Sequence, residues 1–147
     1  MTHQRFMSAV CKARFDSDLV ASRVSLAIAE LLWAIMLFWP GDTFARPTYT
    51  FMSRVAGEEV WALVFLLSAV TQISIVVMED FYSPFARYFA AWNAALWAYV
   101  VASMVLSVYP PPAAVGGEIA LAMSAAWIWL RPFLILEGYR RAARTTT

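Results

Sequence analysis

Residues Leu19 to Trp39 read LVASRVSLAIAELLWAIMLFW, with only two charged side chains, Arg23 and Glu30. That is a run of about 20 mostly apolar residues, the length a helix needs to cross the hydrocarbon core of a bilayer. The apolar residues come in blocks rather than in the one-sided stripe of a soluble amphipathic helix. Three more such runs follow, from about Glu59 to Met78, Arg87 to Tyr109 and Glu118 to Leu136. Together they predict an all-α integral membrane four-helix bundle. The chain of 147 residues has room for four spans, short connections and little else, so it reads as a single transmembrane domain.

Composition agrees. The chain is 62% hydrophobic and 14% charged, against about 45–50% and 25% for soluble domains. A net charge of +1 gives no bulk reason to bind nucleic acid. Cys11 is the only cysteine, which excludes an internal disulfide and multi-cysteine metal sites. His3 is the only histidine, which excludes a metal or haem site built on several histidines. Glycine-rich phosphate loops and nucleophile elbows are missing from the sequence, and no serine has a histidine to activate it nearby. These features predict no enzyme and no cofactor. Arg5, Lys12 and Arg14 before an apolar run resemble the start of a signal peptide, but the run is too long and Trp39-Pro40-Gly41-Asp42 is a poor cleavage site. The first span is expected to stay.

Local signals set the ends of the spans. Asp16 or Asp18 suits the N-terminus of the first, and Pro40-Gly41-Asp42 ends it. Glu58 and Glu59 complement the dipole at the start of the second, and Glu79-Asp80 marks its exit. Pro110-Pro111-Pro112 stops the third. Pro132 is expected to kink the fourth beside Arg131. Between spans one and two, Thr48 to Ala56 fits either an irregular loop or a short interfacial helix with Phe51, Met52 and Val55 toward lipid. The other connections are short, so spans two and three, and three and four, are expected to be antiparallel neighbours.

Orientation follows from the basic residues. Arg5, Lys12, Arg14, Arg23, Arg87, Arg140, Arg141 and Arg144 fall on one side of a four-span topology, and only Arg46 and Arg54 on the other. Both termini are therefore expected in the cytoplasm. Trp39, Trp61 and Tyr109 would then line the outer interface, and Tyr82, Tyr88 and Tyr139 the inner one.

Glu30 lies about eleven residues into its span, close to the midplane at roughly 1.5 Å per residue. An unpaired charge there costs at least about 2.5–3.5 kcal/mol, so the carboxyl must be neutral, paired or open to a cavity. Gln72, Asn93 and Arg131 fall within about two helical turns of that depth. Together with Glu30 they form a candidate intramembrane polar layer, with Glu30 and Arg131 as its charged pair. The layer suits a proton or ion relay or a substrate counter-ion, and it also suits an interhelical clamp that fixes packing. Arg131 also suits a side chain snorkelling to the headgroups. Ala90, Ala94, Ala98 and Ala102 recur every four residues along span three, with Ala91 and Ala95 beside them. Small residues let helices approach closely in a membrane, so the stripe is a candidate packing face within the chain or against a second copy.

The stretch Arg23-Val24-Ser25-Leu26-Ala27, then Glu30-Leu31-Leu32-Trp33, Trp39-Pro40-Gly41-Asp42-Thr43-Phe44 and Glu59-Val60-Trp61 resembles small multi-span membrane proteins of tailed bacteriophages, sometimes called holin-like. The resemblance covers under a third of the chain. It implies a phage or prophage origin, a bacterial inner-membrane address and action by lateral self-association, and the Arg140, Arg141 and Arg144 tail matches the basic C-terminus common among holins. Three functions are weighed on this basis. The first is a holin-like homo-oligomer. The second is a non-catalytic accessory subunit with a membrane-protein partner. The third is a small proton- or cation-coupled transporter using Glu30, similar in plan to the small multidrug-resistance exporters. The lipid bilayer is a partner in all three.

Overall fold

A computed structural model describes the backbone of residues 3–81, 83–113 and 115–144, and the side chains of 17–81, 83–113 and 115–131. Five helices run in the order α1 (His3–Phe38), α2 (Thr50–Val55), α3 (Glu58–Val77), α4 (Pro84–Ser107) and α5 (Val115–Arg144), with no strand among the described residues. Three segments, Ser17–Phe38, Glu58–Val77 and Pro84–Ser107, are long and apolar enough to cross a membrane.

α1 continues unbroken through Asp16, Ser17 and Asp18, so neither acid caps it. Asp18 is spent elsewhere, as shown below. α5 likewise runs through Pro132 as one helix. The turn between α3 and α4 is closed by backbone chemistry. The Asp80 amide donates to Ile75 O at 3.1 Å and the Glu79 amide to Val76 O at 3.2 Å, with Glu79 in the left-handed region at φ 53°. This is the Schellman arrangement, which usually places glycine where Glu79 stands. Ser83 then caps α4, its Oγ accepting from the Ala86 amide at 3.0 Å, with Pro84 in the first turn.

The backbones pack in two pairs, α1 on α3 and α4 on α5. α3 and α4 are joined by a short turn, yet they meet mainly through large rings: Trp61 stacks on Tyr99 at 5.5 Å, and Phe65 leans on Trp97 at 5.5 Å. The expected neighbours α3 and α4 thus touch through their side chains, while the backbones come close in α1 on α3 and α4 on α5.

The 39–57 connection lies at one end of these helices (the connector end) and the 78–83 turn at the other (the turn end). Two short 3-10 turns, Thr43–Ala45 and Pro47–Tyr49, lead into α2. Asp42 accepts from the Ala45 amide at 2.9 Å, and the Glu58 carboxylate accepts from the Phe44 amide. α2 has only six residues, so most of its backbone groups lack helical partners. Side chains supply them. Trp61 Nε1 donates to Met52 O at 3.1 Å, Tyr99 Oη donates to Phe51 O at 3.3 Å, and Ser107 Oγ accepts from the Phe51 amide at 3.4 Å. Met52 is 0% exposed, so it anchors α2 inward instead of facing lipid. Phe51 and Val55 stay exposed, as the sequence suggests. Trp61 is buried for the same reason and is not part of an exposed aromatic belt, whereas Trp39, Tyr109 and Tyr88 are exposed. Tyr82 and the side chain of Tyr139 lie outside the described residues.

Candidate functional site

Each long helix turns one a/d-like stripe inward. On α1 it is Leu19, Arg23, Leu26, Glu30, Trp33 and Leu37; on α3 Trp61, Phe65, Ser68, Gln72 and Ile75; on α4 Ala86, Ala90, Asn93, Trp97, Val100 and Met104. Helical spacing therefore commits Arg23, Glu30, Gln72 and Asn93 to core positions. Arg23 is 2% exposed and the other three are 0% exposed.

Two clusters result. Toward the turn end, Arg23 ties three helices together. Its Nη1 donates to Gln72 Oε1 at 2.7 Å and its Nη2 to Ala86 O at 3.3 Å. Asp80, in the turn, lies close enough to act on it electrostatically. Two helical turns further along α1 is Glu30. Asn93 and Trp97, one turn apart on α4, face its carboxyl. Neither Glu30 oxygen has a hydrogen-bond partner, and the same holds for both amide atoms of Asn93 and for Trp97 Nε1. Buried polar groups are normally bonded, so this knot of unmet donors and acceptors is the most unusual chemistry in the described residues.

Glu30 does not meet Arg131. Arg131 Nη2 pairs with Asp18 Oδ2 at 3.1 Å, and its guanidinium lies 5.7 Å from the Trp127 ring centroid. Depth explains this. α5 descends from the connector end, and residue 131 arrives level with Asp18, twelve residues or roughly 18 Å along α1 from Glu30. The buried arginine of the polar layer is Arg23. The signal was present in the sequence: Arg23 and Glu30 are seven residues apart, so burying one face of α1 buries both.

The alanine stripe does not form a single packing face. Ala90 is buried and Ala94 partly buried against the core, but Ala98 and Ala102 are exposed. A step of four residues overshoots a full turn by about 40°, so the row winds from the interior to the outside. The side chains of Arg140, Arg141 and Arg144 lie outside the described residues.

At the connector end, rings fill the same seam. Trp33 lies 5.2 Å from Phe65, 6.0 Å from Tyr49 and 6.1 Å from Trp97, the last two edge-on. Burial pushes the Tyr49 phenol above its ordinary range; the charge of Arg46 opposes the shift and that of Glu118 adds to it. An open groove of about 350 Å³ lies on the surface nearby, lined by Ile35, Met36, Trp39, Asp42 and Arg46, away from Glu30. Among the described residues no three His, Cys, Asp or Glu gather where they could hold a metal ion.

No protein-family model, no curated protein and no solved structure matches this chain. The arrangement itself offers two capabilities: a carboxyl placed to take up or release a proton among neutral hydrogen-bonding groups, and an external helix face with small side chains.

Proposed function

We propose that this is a four-span protein of a bacterial inner membrane, of phage or prophage type, that acts without catalysis by associating with further copies of itself in the bilayer. In this reading α5 is the fourth span, both termini are cytoplasmic, and α2 rests at the outer interface. The distribution of arginines supports the orientation, and the resemblance around Glu30 and Trp39-Pro40-Gly41-Asp42 supports the origin.

The observation that carries the reading is the exposed half of the α4 stripe. Ala95, Ala98 and Ala102 sit on the outside. Between lipid-facing helices, association depends on close van der Waals approach, and small side chains allow it. Trp92 and Leu106, one turn beyond either end of this strip, are exposed too. A partner helix seated there would come nearer to α4 than lipid chains pack.

Expression in bacteria, with membrane potential followed by a voltage-sensitive dye, tests this. Abrupt depolarisation is expected, together with homo-oligomers in native-membrane nanodiscs, and A98L/A102L is expected to weaken both. Harmless expression of a monomer contradicts the reading. Co-purification of a stoichiometric second protein replaces it with an accessory-subunit role.

A further inference from the structure

We propose that Glu30 and Asn93 form a proton-binding site at the seam between the two helix pairs, in which the Asn93 amide turns to partner either protonation state of the carboxyl.

The argument begins with donors and acceptors. An ionised carboxylate only accepts hydrogen bonds, whereas a carboxylic acid donates one and still accepts. The groups facing Glu30 are the Trp97 indole, which only donates, and the Asn93 amide, which does both. With Glu30 ionised, one oxygen accepts from Trp97 Nε1 and the other from Asn93 Nδ2. When a proton from water binds, the new O–H donates to Asn93 Oδ1 and the other oxygen keeps the indole. The Asn93 Nδ2 hydrogen bond breaks as the one to Oδ1 forms, and the proton leaves a hydronium, which remains as water. A half-turn about the terminal torsion of Asn93 exchanges the two arrangements. Either one gives partners to Glu30 Oε1, Glu30 Oε2 and Trp97 Nε1, all of which stand unbonded in the structure.

Packing selects the ligand. Glu30, Asn93 and Trp97 are each 0% exposed, and Trp97 is wedged against Trp33 and Phe65. A proton adds no volume, so it is the cation this seam accommodates. Fixed charges stand away from the carboxyl on every helix packed around it. On α1, Arg23 is two turns off and engaged with Gln72. α3 presents Gln72 and Ser68, and its acids Glu58 and Glu59 are confined to its first turn, with Glu79 and Asp80 beyond its end. On α4, Arg87 is near the first turn. On α5, Glu118 is in the first turn and Arg131 is held by Asp18. The neutral amide is thus the group placed to distinguish the two states.

Infrared difference spectroscopy of the full-length protein in lipid nanodiscs, across a pH titration, tests the site. Wild type is expected to show a carboxylic-acid carbonyl band that titrates and is absent in E30Q, with Trp97 fluorescence following the same midpoint. N93L removes both amide roles and is expected to change the proton affinity tenfold or more. N93S keeps a donor and an acceptor and is expected to remain within about threefold of wild type, which also covers the case in which N93L does not fold. A titration with no E30Q-sensitive band overturns the proposal. So does an N93L midpoint equal to wild type.

Discussion

At the connector end, Trp33, Tyr49, Phe65 and Trp61 interlock, and Trp61 Nε1 and Tyr99 Oη bond the carbonyls of α2, while one buried oxygen of Glu118 stays unpartnered beside the rings. Midway along the same helices, the Glu30, Asn93 and Trp97 groups face each other without closing a bond, and beyond them Arg23 bonds Gln72 Oε1 and Ala86 O while Arg23 Nε and Gln72 Nε2 stay unpartnered. The two regions share a seam but not a logic. In lipid, apolar side chains gain little from leaving the solvent, so ring packing and hydrogen bonds carry helix association. The aromatic region supplies the packing. The polar region adds less to adhesion than it costs in desolvation unless its groups are paired, which points to a role in specifying or switching the arrangement.

Substitutions should separate the two regions. The largest loss is expected from Phe65→Ala, which opens a cavity among Trp33, Trp61 and Trp97; unfolding in bicelles should show a cost of about 3 kcal/mol. Arg23→Ala should cost somewhat less, about 2 kcal/mol, because it strips the donor from the buried Gln72 Oε1 and from Ala86 O. Removing both partners in R23M/Q72L should recover most of that loss, since replacing a buried polar pair by apolar groups is often close to neutral. If the double variant is no better than Arg23→Ala, the contact is not what holds the polar region. The smallest effect lies outside both regions and serves as a control. Glu79→Gly relieves a left-handed backbone at the α3–α4 turn and should stabilise by up to about 1 kcal/mol in the same assay.

The sequence carried the architecture further than the contacts. Apolar blocks of span length mark the helices, because in lipid the backbone must satisfy itself locally. The burial of Glu30, Gln72 and Asn93 was also legible, since each falls on the inward stripe of its helix. The partners of these residues were not. Arg131 looked level with Glu30 only while the span ends were estimated from composition. The true start of α1 lies well before Asp18, and that acid takes the arginine. Met52 looked lipid-facing because a six-residue helix gives too little pattern to show which side is tucked under Trp61. Ala98 and Ala102 seemed to share a face with Ala90 because a four-residue spacing looks straight on paper and winds around a real helix.

The proposed topology, in which α5 joins the three membrane-length helices as a fourth span and the Glu30 seam lies inside the bilayer, can be tested by labelling. Membrane-impermeant maleimide labelling of intact cells, in a C11S background, tests it directly. A cysteine replacing Ala45 should label from outside. Cysteines near either chain end should label only after the membrane is opened, and one replacing Ile28 should resist labelling throughout. Chain ends that label from opposite sides, or a reactive cysteine at position 28 in intact cells, would contradict the account.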